Sequence, residues 1–530
     1  MALDAPSSYA AIIDAGSSSS RLYIYQWKSN VALGEPLVIR TVFPTTAEEK
    51  KAAEASGGIT SHPLPLELEP QQWIHHKRND MELYLQPMLR AGQAFLQTRK
   101  NATSVPLYLL ATGGMREDID QEAQAEILKA AHRVMCALHL ARTYDAGRRW
   151  ATNARVIPGH VEGLYGWAAL NYGRGVEEQI SGLLELGGAS MQIAYKVPSA
   201  QVRRERMCLL SGEHRVYSRS WDGFGADSMQ RRMLAGLLAD AGGVNGTGVI
   251  YNPCLPRGEV GSAVNGSKRT TVGSGDFATC LALARGLLKD GLENRHSIPS
   301  YLDIASFSKH FFGVSHYWYN YQFFAKWGGY DPRRAYHRTR FTKAVTKYCT
   351  SVRAEIPWAE GDKDKTSIYT ESRCFSSAWM LTLLHDDLYG FGLEMTKYDT
   401  WNGVFRFPTT TDLASRSSWT IGAAALIARH GELRFCPRES GEQVYRLNSS
   451  SYPSVAEPIQ PPDVVAGSTV GEAGNTFVSI SGLAYGFIFV LLVVIAYQRR
   501  LITKLARGSN HVDEKSPHSI LLDRRNGSVA

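Results

Sequence analysis

Two short segments carry the residue types that handle phosphate. Residues 14–21 read DAGSSSSR and, 171 positions after Asp14, residues 185–190 read ELGGAS. Each places one carboxylate just ahead of a run of small residues. Glycine and serine let the backbone approach a ligand closely, so their amides and hydroxyls can surround an anion. The carboxylate beside such a turn can hold a cation. Two such turns facing each other across a cleft would grip a metal-bound phosphate from both sides. Either turn alone is also ordinary hairpin punctuation; the repetition carries the argument.

The flanking residues say what must position these turns. In residues 9–27 (YAAIIDAGSSSSRLYIYQW) an apolar strand runs into Asp14, then a small-residue turn, then a second β-rich run. That pattern predicts a hairpin. Residues 183–195 (LLELGGASMQIAY) repeat it. Helices are expected over 81–100 and 119–140 and starting near Glu162. A short buried strand at 105–111 ends in Thr112-Gly113-Gly114.

The chain has 530 residues, 44% hydrophobic and 20% charged, ordinary globular values with room for two lobes. Residues 477–497 (FVSISGLAYGFIFVLLVVIAY) carry no charge and are long enough to span a bilayer as a helix. Arg499, Arg500, Lys504 and Arg507 follow at once, whereas no Lys or Arg lies between Arg446 and Arg499. The positive-inside rule puts the tail 498–530 in the cytosol and the front part outside or in a lumen. The first residues, MALDAPSSYAAIIDAG, have neither a basic nor a long apolar leader region, so either the C-terminal span directs translocation of the front part or the start of the sequence has been trimmed. Residues 448–476, rich in Pro, Ser, Gly and Val, read as a flexible stalk. Half of the net charge of +8 sits in residues 498–530, so the basic balance reflects a membrane-proximal tail and not nucleic-acid binding.

None of the seven cysteines forms a CxxC pair, which excludes zinc ribbons and thioredoxin chemistry. Cys254–Cys280 and Cys349–Cys374 are the expected local bridges in an oxidising lumen. Ahead of the span, Asn-X-Ser/Thr acceptors begin at Asn101, Asn245, Asn265 and Asn448.

Taken together and in order, the segments 12–27, 107–117 (LYLLATGGMRE), 161–172 (VEGLYGWAALNY), 183–195 and 417–425 (SSWTIGAAA) resemble the five conserved regions of the GDA1/CD39 family of nucleoside triphosphate diphosphohydrolases. Further similarity runs through 222–227 (DGFGAD), 252–256, 273–280, 341–349 and 374–380, so the resemblance covers nearly all of residues 9–430. The ending of the first loop, the cysteine context and the single C-terminal span are most similar to the Golgi and endomembrane subgroup. Cell-surface placement is the alternative.

The resemblance implies an α/β fold of two RNase H-like lobes, of the actin/Hsp70/sugar-kinase superfamily, with the active site between them. Lobe one would be 1–158 plus the return segment 412–447, and lobe two 159–411. It implies hydrolysis of nucleoside di- or triphosphates with Ca²⁺ or Mg²⁺ and no covalent intermediate. Glu162 matches the catalytic base, and Gln192 and Ser190 its companions at the attacking water. Ser17, Ser18, Ser20, Thr112, Gly187 and Gly188 match the phosphate-gripping turns. Asp14 and Glu185 match the cation-holding acids, acting through the ion's waters. Glu185 departs from the family's usual Asp, which reaches less far by one methylene. Arg21 and Arg116 are candidates for phosphate contact or for structural ion pairs. Within the aromatic cluster 315–324 (SHYWYNYQFF), Tyr319 matches the base-stacking position and the remainder reads as core; Trp419 reads as packing beneath the cleft. Two other readings stand beside this one. An exopolyphosphatase shares the acidic Gly/Ser loop, and a nucleotide-gated binding protein shares the fold.

Overall fold

In the computed structural model the first acid-tipped segment forms a hairpin of β1 (Ser7–Ala15) and β2 (Ser19–Lys28). Most of residues 7–436 are described. The longest interruptions are 57–69, 138–152, 357–368, 394–404 and 407–417, and residues 437–530 lie wholly outside. The expected stalk, membrane span and tail therefore lie outside the described residues. Among the described residues no helix is long and apolar enough to cross a membrane.

Two six-stranded sheets organise the chain. The first is ordered β3-β2-β1-β5-β6, with β3 (Arg40–Phe43), β5 (Leu107–Ala111) and β6 (Asn153–Val156), and with β4 (Glu54–Ser56) also pairing β2. The second is ordered β15-β14-β7-β8-β10-β9. Its strands are β7 (Gly182–Leu186), β8 (Ser190–Val197), β9 (Glu205–Leu209), β10 (Gly212–Asp222), β14 (Phe311–Ser315) and β15 (Phe405–Arg406). A small third sheet joins β11 (Ile250–Asn252), β12 (Val260–Ala263) and β13 (Thr270–Gly273). In both large sheets an antiparallel hairpin, β1–β2 or β7–β8, is followed on its open side by two parallel strands.

The apolar run in β1 is explained by cover on both faces. Tyr9, Ala11 and Ile13 point into a core with Leu85 and Leu89 of α2 (Pro70–Gln97) and Val134 of α4 (Gln121–Ala137). Ala10 and Ile12 point the other way, into a core with Leu164 and Trp167 of α5 (Gly159–Asn171) and Ile421 and Ala424 of α11 (Trp419–His430). A strand buried on both faces loses polar alternation. The same second core takes Leu183, Ala194 and Val216 from the second sheet, so α5 and α11 are sandwiched between the sheets. The far face of that sheet is covered by α6 (Ala226–Asp240), α7 (Phe277–Leu292) and α10 (Tyr369–His385).

Sandwiching explains the composition of α5. Every residue of it except His160 is buried, as a helix apolar all round must be. Its crossing with α11 is close: a Cβ at Gly422 would collide with the Tyr165 carbonyl and sit 2.7 Å from the Ala169 nitrogen. Trp419 packs here, stacked on Tyr165 at 6.1 Å.

The two local disulfides Cys254–Cys280 and Cys349–Cys374 are present. A third, Cys208–Cys436, joins β9 to the segment after α11 across 228 residues. Cys136 belongs to none of them and lies 3.6 Å from a His132 ring nitrogen.

Candidate active site

The two hairpins close in the same way. The Gly16 amide donates to the Ser19 carbonyl at 3.0 Å, and the Gly187 amide to the Ser190 carbonyl at 2.9 Å. Asp14 pairs with Arg21 across the first hairpin as Glu185 pairs with Gln192 across the second. The turns meet tip to tip: a Cβ at Gly188 would stand 2.8 Å from the Ser17 hydroxyl. Between them comes the N-terminus of α3 (Gly113–Glu117), entered from β5 through Thr112, whose amide donates to the Ala15 carbonyl at 3.1 Å. A Cβ at Gly114 would lie 2.9 Å from Ser17 Cα, and one at Gly113 would lie 2.8 Å from Ser190 Oγ. Side chains there would fill the space where backbone amides gather. The second turn is held from behind, because the Gly187 and Gly188 carbonyls accept from the Ala226, Asp227 and Ser228 amides at the start of α6. Those are amides that a helix leaves without an internal partner.

Thus Asp14, Ser17, Thr112, Gly187, Gly188 and Ser190 are brought together. Ser20 is near them but fully buried, and its hydroxyl accepts from Tyr84 at 2.9 Å. Ser18 lies outside the described residues. Tyr319 stands on α8 (His316–Trp327) and is 55% exposed, whereas its neighbours Tyr317, Tyr321 and Phe324 are core.

Glu162 is the only acidic side chain on α5, and it is buried. Burying a carboxylate costs several kcal/mol unless it is paired, and the partner is Arg116. Arg116 Nη2 donates to Glu162 Oε2 at 2.9 Å and to Ser190 Oγ at 3.2 Å. Its Nη1 donates to the Ile157 carbonyl at 2.8 Å, while Nε and Nη2 fork onto Asp222 at 3.1 and 3.0 Å. Gln192 Nε2 reaches Glu162 Oε2 at 3.2 Å, Ser190 Oγ at 2.7 Å and Ser220 Oγ at 3.2 Å. Its Oε1 is buried with no hydrogen-bond partner. Arg21 is held elsewhere, by Glu54 at 2.8 Å. Both arginines therefore sit in ion pairs.

Three carboxyl groups share this region. Burial raises Glu162 above the ordinary carboxylate range, and Arg116 opposes the rise. Asp14 is pushed up to about 7 by burial and then by the Glu162 charge, with Arg21 opposing. Burial, then the charges of Glu162 and Asp14, raise Glu185 well above its usual value. Ser315 Oγ donates to Glu185 Oε1 at 3.1 Å; Oε2 is buried without a hydrogen-bond partner. With Glu185 Oε2 left unpartnered and the Asp14 charge raising the affinity of Glu185 for its proton, these two acids are the residues that could hold a divalent cation. Among the described residues no three His, Cys, Asp or Glu side chains cluster as a closed ligand set. An ion here would keep much of its water, as Mg²⁺ habitually does.

Sequence reasoning did not find Asp222, Ser220 or Ser315. Asp222 opens the stretch 222–227, and Ser315 opens the aromatic cluster 315–324.

Residues 1–434 match the GDA1/CD39 (nucleoside phosphatase) family. The Golgi apyrase of Schizosaccharomyces pombe is 29% identical over 469 residues, covering 80% of this chain and 76% of the relative. The Golgi apyrase of Saccharomyces cerevisiae is 26% identical over 473 residues, covering 79% and 70%. Among solved structures, a nucleoside triphosphate hydrolase from Neospora caninum shares the fold at a TM-score of 0.53 and 17% identity, covering 80% of this chain and 92% of its own.

Proposed function

The chain belongs to the GDA1/CD39 family, and from that premise we propose that it is an apyrase-type hydrolase removing the terminal phosphate of nucleoside tri- and diphosphates. The observation that carries the mechanism is the buried Glu162, held between Arg116 and Gln192 beside two facing Gly/Ser turns.

The turns around Ser17, Gly187 and Gly188, with Thr112 at the start of α3, surround the phosphate chain with amides and hydroxyls. Ser20, bound to Tyr84, braces the first turn from within. Glu162 takes a proton from the attacking water. Its raised affinity for protons suits that task, because a base works best near the operating pH. The Arg116 guanidinium opposes the rise. The Gln192 Oε1 that lacks a partner accepts a hydrogen bond from the water's other O–H and so orients it. Ser190 Oγ receives from both Arg116 and Gln192, which leaves its own proton for a phosphate oxygen.

Asp14 and Glu185 would hold Ca²⁺ or Mg²⁺ through its waters; such an ion, when bound, neutralises charge on the phosphate oxygens. Tyr319, exposed on α8, offers a π-face that tolerates several bases. We read the lobes as 1–158 with 412–447 and 159–411; the two large sheets, built from strands within residues 7–156 and 182–406, support that reading.

We place the enzyme in the Golgi or a related compartment, with the catalytic part lumenal and one C-terminal span at 477–497. The two Golgi apyrase relatives and the disulfides, which persist in oxidising compartments, support this. Nucleic acid has no part in this reading.

Phosphate release from the purified protein with ATP, UDP, GDP and polyphosphate tests the function. Nucleotides should be hydrolysed, EDTA should abolish turnover, and Ca²⁺ or Mg²⁺ should restore it. Hydrolysis of polyphosphate alone, or of nothing, would refute the proposal.

A further inference from the structure

Ser315 is the only non-glycine residue with positive φ among the described residues, at φ 58° and ψ −126°. That conformation favours glycine, and an L side chain there is strained. Ser315 ends β14 and stands at the N-cap of α8, yet its hydroxyl makes no capping bond. A serine at that place normally accepts from the helix's first free amides. Neither backbone comfort nor helix capping explains why this position carries a side chain.

The hydroxyl is committed elsewhere. Strand β14 runs parallel to β7 with Val314 opposite Glu185 and Ser315 opposite Leu186. From that diagonal, Ser315 Oγ donates to Glu185 Oε1 at 3.1 Å. The other oxygen, Oε2, is left without a hydrogen-bond partner, 3.4 Å from where a Gly166 Cβ would stand. The carboxylate is thereby fixed through one oxygen and free through the other.

We propose that Ser315 is a positioning residue for the cation site, whose strained backbone aims its hydroxyl at Glu185 and so sets the placement of the longer acid that this chain carries there. The inference rests on the proposed role of Glu185 in holding the cation. A glutamate has one more rotatable bond than an aspartate, and an extra anchor removes the freedom that this bond adds. Hydrogen-bond partners of directly ligating residues alter metal affinity by about 10–100-fold when removed; Glu185 acts through the ion's waters, so the low end of that range applies.

The test compares Ser315→Gly, Ser315→Ala and Glu185→Gln with the full-length protein. Calorimetry measures Ca²⁺ binding without nucleotide, and thermal unfolding is followed on the same samples. Ser315→Gly relieves the backbone, so its Tm should hold or rise while Ca²⁺ affinity falls about tenfold, within that range. Ser315→Ala should lose the same affinity without the gain in Tm. Glu185→Gln should weaken Ca²⁺ binding at least as much. Wild-type Ca²⁺ affinity in Ser315→Gly, with affinity lost in Glu185→Gln, would overturn the role of Ser315 and leave that of Glu185 standing. Wild-type affinity in Glu185→Gln would overturn both.

Discussion

Replacing Glu162 by glutamine removes a charge and a proton acceptor and little else. The two side chains have the same shape, and both bonds to Glu162, from Arg116 at 2.9 Å and Gln192 at 3.2 Å, arrive at one oxygen. An amide carbonyl can accept both. Arg116 keeps Asp222 and the Ile157 carbonyl, so no buried ion is stripped of its partners. The stability loss should be about 1–2 kcal/mol, below the ~3–5 kcal/mol of a fully orphaned buried charge. General-base catalysis is worth about 10²–10⁴-fold, or about 2.7–5.5 kcal/mol of barrier. Turnover should fall by that factor, and kcat and kcat/KM should fall together, because the lost interaction is made in the transition state. If Glu162 served only as a first-turn carboxylate favoured by the dipole of α5, the variant would lose a little stability and keep its turnover. Stopped phosphate-release assays and thermal unfolding on one preparation separate the two. A variant retaining more than about a tenth of wild-type kcat, set against that range, refutes Glu162 as the base.

Arg116→Met removes the cation that opposes the rise in Glu162. Glu162 then gains affinity for its proton and is neutralised at higher pH; the acid limb of kcat/KM should move upward, and an unmoved limb counts against the pairing. Replacing both Cys208 and Cys436 by serine opens a 228-residue separation; chain entropy puts the loss at about 5 kcal/mol at most, read as a lower Tm, and an unchanged Tm would show that the hydrogen bond from Cys208 to Phe435 and its surroundings suffice. Protease added to sealed microsomes should trim only the tail after Gln498; digestion of the front part would reverse the proposed orientation.

Features written within a few residues were legible in the sequence. Turn chemistry is local, so both hairpins, their acids and the glycines between them could be read from 14–21 and 185–190. The helix around Glu162 was legible too, but its role was not: along the chain it is a first-turn carboxylate, and only resemblance singled it out. What escaped depends on distant partners. Arg116 meets Asp222 across 106 residues and Ser315 meets Glu185 across 130. Cys208 finds Cys436 across 228. No spacing rule predicts such pairs, because the sheets decide them. The arginines show the same limit: side-chain type allowed phosphate contact or ion pairing for both, and only the packing against Glu54, Glu162 and Asp222 decides.

The sandwiching of α11 between the sheets has a consequence for biosynthesis. The even-numbered face of β1, with Ala10 and Ile12, is completed by Ile421 and Ala424. Roughly four hundred residues must be translated between them, which at about 5–20 residues per second takes on the order of 20–80 s. Through that interval the first sheet has α5 but not its last cover, and an apolar strip waits beside the ribosome. The first sheet cannot complete its cover as it emerges and then serve as a template for the second. The nascent chain must shelter that strip, by provisional contacts or a chaperone, until nearly all of the catalytic part has been made.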